Sequence, residues 1–360
     1  MEREEVYNFA AGPSVLPQSV LEKAAGEILN YRGTGISVME MSHRSAAFAE
    51  IFNEASASLR ELLEVPDTHE ILFLQGGATL QFAAVAMNLL AGGAADYAVT
   101  GRFSSLAAKE ATKYGTVRIA ADTSATGHDR IPKQNELQLS DDAKYFYYCA
   151  NNTIYGTEWQ YVPQTDCPIV CDMSSDILTR PVDWSRYELV YAGAQKNLAP
   201  AGLTVVIVRK SAVGNALPET PELMRYDTMI RTDSMLNTPP CWCIYMLSLM
   251  LDWVRENGGI EEMERRKRIR AGLLYEVLDE SRLFVPHARK EDRSFMNVTF
   301  STSDRELDAA FIAGAAGRGL MYLGGHKTAG GMRASLYNAM PISAAEKLAD
   351  YMREFEREHV

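Results

Sequence analysis

The sequence predicts an α/β protein: a large domain on a mostly parallel seven-stranded sheet, plus a smaller α+β domain. Three observations point there. From Glu70 to Lys210, short apolar runs alternate with helical patterns, which is how a parallel sheet with crossover helices reads along a chain. A long helical stretch from about Pro240 to Glu280 is then followed by strand, helix, strand and helix patterns, an order that fits a separate unit. With 360 residues, 47% of them apolar and 23% charged, the chain can fill more than one minimal core and has the balance of a globular protein.

Taken in order, the strands are expected at Ile71 to Leu74, Tyr97 to Thr100, Thr116 to Ala120, Lys144 to Cys149, Pro168 to Asp172, Glu188 to Ala192 and Leu203 to Val208. Between them, Thr79 to Leu90 and Ser104 to Tyr114 carry helical patterns. Gly258 and Gly259 interrupt the long helical stretch, because glycine lowers helix propensity enough to set a boundary. The tail predicts a strand at Phe295 to Ser301, a helix at Glu306 to Gly317, a strand at Gly331 to Tyr337 and a helix at Ala344 to Glu356. The first fifteen residues, with Gly12-Pro13 and Pro17 just beyond, are expected to be irregular and to pack onto the smaller domain. This divides the chain into a large domain over 16–258 and a small domain made of 1–15 and 259–360.

Composition excludes several functions. A net charge of −11 opposes nucleic-acid binding, since phosphate neutralisation needs a basic face. The basic run Arg265, Arg266, Lys267 and Arg268 sits among Glu261, Glu262 and Glu264, which reads as a solvated helix face. Five cysteines, an odd number with no second pair at zinc spacing, are expected to be core or near-core thiols in a reducing compartment. The start of the chain has no apolar signal stretch, and the run Cys241 to Leu251 is too short to cross a bilayer. The expected location is the cytoplasm.

The chemistry gathers at strand ends. Asp172 closes the run Ile169-Val170-Cys171, and ligands of an open parallel sheet collect beyond the carboxyl ends of its strands. The next strand-like run ends in Gly193-Ala194-Gln195-Lys196-Asn197, which sets a lysine beyond a neighbouring strand end behind small residues. A partly desolvated ammonium loses its proton more readily and becomes a nucleophile. A lysine to form an imine and a carboxylate to keep a pyridine nitrogen protonated are what pyridoxal phosphate requires. Gln75-Gly76-Gly77-Ala78-Thr79 lies between a strand and a helix, so its free amides and the helix dipole suit a phosphate. It lacks the Walker and GxGxxG spacings, which argues against a nucleotide-binding dehydrogenase. Phe103, after another strand, is placed to stack on a flat ring.

Long segments carry a resemblance over the whole chain: Asn8 to Pro13, Gly35 to Arg44, Ile71 to Phe82, Asp172 to Ser175, Ala192 to Asn197, Asn237 to Pro240 and Gly331 to Met340. In these the sequence resembles the phosphoserine aminotransferases of the class V, fold-type I aminotransferase family. The resemblance implies that Lys196 forms the imine with pyridoxal phosphate, that Asp172 meets the pyridine nitrogen, and that Gly77, Ala78 and Thr79 hold the phosphate. It also implies Phe103 over the ring, Thr153 and Gln195 beside it, and Asn237 and Thr238 on the phosphate from a partner subunit, hence a homodimer with shared active sites. Arg333 is matched to the substrate α-carboxylate, and His43, Arg44, His326 and Lys327 to its distal anion. Arginine forks bind carboxylates in a bidentate way, and a cationic cluster suits a phosphate dianion. Two positions depart from the family pattern: Phe103 stands for a tryptophan, and Gly325-His326-Lys327 for Gly-His-Arg, which leaves a point charge where a fork is usual. The implied reaction is reversible amino transfer between L-glutamate and 3-phosphohydroxypyruvate, giving O-phospho-L-serine and 2-oxoglutarate. Related substrates are 4-phosphohydroxythreonine of vitamin B6 synthesis or another oxo acid. A catalytically idle binding protein is disfavoured by the complete set Lys196, Asp172 and Arg333.

Overall fold

A computed structural model describes residues 2–360. Seven strands form the central sheet: β1 (His69–Leu74), β2 (Ala94–Val99), β3 (Thr116–Asp122), β4 (Ala143–Cys149), β5 (Ile169–Asp172), β6 (Tyr187–Gly193) and β7 (Thr204–Arg209). Their spatial order is β1-β7-β6-β5-β4-β2-β3. All neighbours pair in parallel except β7, which is antiparallel to both β1 and β6. The short segment 194–203 between β6 and β7 explains the exception, because a parallel return needs a crossover of a dozen residues or more. Except at the edge strand β3 the sheet is buried on both faces, so strands such as Thr204–Arg209 read as a β-branched run, Thr204 to Val208, rather than an alternating one.

This topology brings one end of each of five strands to a common edge. Thr204 stands opposite both Leu74 and Gly193, and Asp172 opposite Tyr191, so the carboxyl ends of β1, β5 and β6 lie side by side. Those of β4 and β2 follow through the pairs Cys149 with Asp172 and Tyr97 with Tyr147. The helices α1 (Ala46–Leu62), α2 (Gly77–Val85) and α3 (Arg102–Ala111) cover the sheet; α2 continues as one π turn, Ala86–Leu90, within the stretch expected to be helical. Beyond the sheet, α4 (Cys241–Glu256) and α5 (Gly259–Glu280) part at Gly258 and Gly259, whose φ angles of 96° and 70° are the left-handed values that favour glycine.

A second apolar core gathers Phe9 with residues of α5, of the strands Asn297–Ser301 and Met332–Ser335, and of the helices Arg305–Gly317 and Ile342–His359. The amino-terminal segment joins it by a two-residue parallel pairing, Tyr7 with Leu320 and Asn8 with Met321. All five cysteines are free and buried or half-buried, as expected of core thiols.

One expectation fails. Lys267 is not on a solvated face: it is 1% exposed, and its ammonium reaches Glu158 at 3.4 Å and Thr179 Oγ1 at 3.2 Å. Glu158 also accepts from the Phe295 amide at 2.7 Å, so one buried carboxylate ties α5 and the tail to the sheet side. The neighbouring Arg265, Arg266 and Arg268 do pair with Glu262 and Glu264 at the surface. A helix rotates about 100° per residue, so one member of a four-residue basic run must turn inward, and the run alone does not say which. Removing one partner leaves a buried charge uncompensated. Lys267→Ala is therefore expected to lose roughly 3–5 kcal/mol, while the double change Lys267→Met with Glu158→Gln loses less; urea midpoints of the two variants check this.

Candidate active site

The edge where the strands end holds a lysine amine gripped by two hydroxyls. Lys196 leaves β6 after Gly193 and Ala194, and its Nζ donates to Thr153 Oγ1 at 2.8 Å and to Ser175 Oγ at 2.9 Å. Those two buried hydroxyls are themselves 2.8 Å apart. Ser175 follows β5, and Thr153 follows β4, so the lysine is fixed from two neighbouring strand ends.

The loop carrying Lys196 is pinned on three sides. Asn197 donates to the carbonyls of Ser175 and Ile177 at 2.9 and 3.1 Å and accepts from the Asn338 amide at 3.0 Å. The Ser14 amide donates to the Gln195 carbonyl at 2.9 Å, and the Ser14 hydroxyl donates to the Lys196 carbonyl. Gly12, at φ 135°, lies under the same loop: a Cβ there would come within 3.3 Å of Gln195 Cγ and 3.4 Å of Lys196 Cγ. The irregular amino terminus thus belongs to the site as well as to the second core.

Asp172 is 5% exposed, and its Oδ1 accepts from the Ser174 amide at 2.9 Å. Its Oδ2 takes no hydrogen bond from the described residues. Behind it Tyr147 and Tyr191 share a hydrogen bond of 2.7 Å. Burial, with the Asp172 charge added, holds both phenols well above their usual range, so they stay neutral. Facing this group, the Phe103 ring stands 5.7 Å from Lys196 Nζ. Half-buried Gln195 bends back so that one side-chain atom would lie 2.9 Å from a Cβ on Gly193.

Next to the slot, Arg333 donates to the Thr153 carbonyl at 3.5 Å, and its Nε is buried without a partner. Burial lowers its pKa. An orphaned donor on a guanidinium is costly unless a ligand satisfies it. His326 is half-buried and Lys327 exposed. His326 Nδ1 accepts from the Thr328 amide at 3.1 Å, so Nε2 carries the proton of the neutral ring. Burial, then the charges of Arg333, Arg102 and Lys327, lower the His326 pKa.

The turn after β1 has Gly76 at φ 93° and Gly77 at φ 68°, and the amides of Gly77, Ala78 and Thr79 open α2 without a side-chain cap. A Cβ on Gly76 would approach Leu80 Cδ2 to 2.4 Å, so this turn demands glycine twice over. Thr79, Asn237 and Thr238 are exposed; Gln75 Nε2 donates to the Thr238 carbonyl at 2.8 Å, which brings the 237–238 segment beside the turn. His43 is half-buried and Arg44 exposed, and neither side chain hydrogen-bonds to a described residue.

The structure therefore draws Lys196, Thr153, Asp172, Phe103, Gln195 and Arg333 around one slot, with His326 and Lys327 beside Arg333. Sequence reasoning missed Ser175, although the doublet Ser174-Ser175 after a site aspartate was a visible signal for it. These residues fit pyridoxal phosphate on three observations of the chain itself: uncapped helix amides for a phosphate, a free oxygen on Asp172 for a protonated ring nitrogen, and an amine held at a fixed point between hydroxyls.

The family model described as aminotransferase class-V matches residues 6–348. The chain is 48% identical over 358 residues to the phosphoserine aminotransferase of Pseudomonas aeruginosa, with 99% of each chain covered. Among solved structures it is similar to the phosphoserine aminotransferase of Bacillus circulans subsp. alkalophilus, with TM-score 0.96, 43% identity, and 99% and 100% of the two chains covered. It is also similar to the PLP-bound phosphoserine aminotransferase of Trichomonas vaginalis, with TM-score 0.93, 38% identity, and 97% and 99% covered. Strand order, site geometry and these likenesses agree that the chain belongs to the class V aminotransferase family.

Proposed function

We propose that the chain is a pyridoxal-phosphate-dependent transaminase that moves an amino group reversibly between L-glutamate and 3-phosphohydroxypyruvate, giving O-phospho-L-serine and 2-oxoglutarate in serine biosynthesis. The observation that carries the chemistry is the Lys196 amine held between Thr153 and Ser175 beside a buried Asp172 and an unsatisfied Arg333. Near-identity of length and 48% identity with a phosphoserine aminotransferase support the substrate. 4-Phosphohydroxythreonine carries the same dianion, so the same cations suit a second role in vitamin B6 synthesis.

Bound at the slot, pyridoxal phosphate supplies an aldehyde carbon and an electron-accepting ring. The chain's residues do the rest. Lys196 would hold the aldehyde carbon and would be the group that moves a proton at the substrate α-carbon. Thr153 and Ser175 orient its Nζ. Asp172 Oδ2 would keep a ring nitrogen protonated, Phe103 would stack on the ring with Gln195 beside it, and the Gly77, Ala78 and Thr79 amides would hold the cofactor phosphate. Arg333 binds the α-carboxylate common to both substrates, which frees the distal end to select; His43, Arg44, His326 and Lys327 supply the charge there.

We read residues 16–258 as the cofactor-binding domain and 1–15 with 259–360 as the small domain, a division supported by the separate second core. Asn237 and Thr238 serve a partner's cofactor in a homodimer. Leu236, next to these two residues, supports this, being an apolar side chain that is 42% exposed in the single chain. Five free thiols support the cytoplasm. Among the described residues no helix is long and apolar enough to cross a membrane.

Three outcomes are expected. Lys196→Ala abolishes turnover and the visible absorption of the bound cofactor while the far-ultraviolet dichroism stays intact; normal turnover would remove Lys196 from the mechanism. Ser175→Ala lowers kcat roughly tenfold with little change in the KM for glutamate, since one hydrogen bond to a charged or reacting nitrogen is lost. Leu236→Asp shifts sedimentation from dimer to monomer and weakens cofactor retention; an unchanged dimer would move the interface elsewhere.

A further inference from the structure

The cations beside the slot include one outside the assigned set. Arg102 is the first residue of α3, after the end of β2, and its neighbour Phe103 faces Lys196. Gly101 abuts the loop after β4: a Cβ there would lie 2.6 Å from Asn152 Oδ1 and 3.3 Å from Tyr155 Cδ2. The Tyr155 carbonyl accepts from Thr299 Oγ1 at 2.9 Å, and Thr299 is the register partner of Arg333. The start of α3 and the strand carrying Arg333 therefore flank the same loop.

Nothing local accounts for an arginine at this point. A cation in the first turn of a helix opposes the helix dipole, and Arg102 is exposed and has no ion-pair partner among the described residues. Neither His326, Lys327 nor Arg333 has one. The charge of Arg102 nevertheless reaches His326, as do those of Arg333 and Lys327. Arg102 and Arg333 thus flank the 152–155 loop, His326 and Lys327 lie on the turn whose ends pair with the Arg333 strand, and none of the four is paired with a carboxylate among the described residues, in a chain whose net charge is −11. Such a cluster is stabilised when an anion enters it. Lys327 offers a point charge, whereas a guanidinium meets two phosphate oxygens at once.

We infer that Arg102 is a specificity-determining residue that, with His326 and Lys327, grips the phosphate end of the oxo-acid substrate and supplies the two-pronged contact that Lys327 lacks. The inference rests on the substrate reading above. It separates Arg333, which handles the carboxylate end of every substrate, from Arg102, which handles the phosphorylated end of one.

The test uses the holoenzyme with glutamate as donor and compares 3-phosphohydroxypyruvate with unphosphorylated hydroxypyruvate for the wild type, Arg102→Ala and Arg102→Lys. Arg102→Ala is expected to raise the KM for the phosphorylated acceptor roughly tenfold and to weaken competitive inhibition by inorganic phosphate in step. Its kcat stays within about twofold, as for a contact made equally in the ground and transition states. The values for hydroxypyruvate do not move, and Arg102→Lys recovers part of the loss. An equal effect on both acceptors, or none on either, overturns the assignment while the substrate reading stands. A wild type that uses glutamate but not the phosphorylated acceptor overturns the substrate reading and this assignment together.

Discussion

The two hydrogen bonds that hold the Lys196 amine at Thr153 and Ser175 are the constraint on which the rest of the site depends. A flexible four-carbon side chain delivers a proton to one atom only if its end is fixed, and a loop fixes it only if the loop is itself held. Asn197 holds that loop to the Ser175 turn and to Asn338, and the amino-terminal segment holds it from below through Ser14 and Gly12. Four distant stretches of sequence therefore converge on one nitrogen, and a shift in any of them moves it.

The electrostatics divide the site into two parts with different physical problems. Around Asp172 the difficulty is burial, which the Ser174 amide relieves by donating to Oδ1. Around Arg333 and His326 the difficulty is like charge, left unrelieved by any carboxylate among the described residues. Several cations gathered in one place without an acid mark where an anionic ligand belongs. Stability is sacrificed locally for binding, the usual trade at a functional site.

Much of this was readable in one dimension. Both-face burial makes sheet strands continuous apolar runs, so all seven were visible, with ends displaced by a residue or a few, as when Tyr97 to Thr100 proved to begin at Ala94. The glycines at 76, 77, 258 and 259 announced their turns because few other residues take their φ values. Lys267 was misread because four consecutive basic residues on a helix look alike until the partner surface is known; the buried Glu158 that claims it lies in a different part of the chain.

Local periodicity, turn chemistry and strand-end position, all properties of neighbouring residues, let the sequence by itself determine the α/β class and the order of the strands along the chain, and they set Lys196 and Asp172 at neighbouring strand ends. Only the tertiary structure decided which strand runs antiparallel, that Ser175 shares the lysine with Thr153, and that Lys267 is buried. Each of these depends on contacts between segments far apart in sequence, and such contacts are fixed by packing and charge in three dimensions rather than by any pattern along the chain.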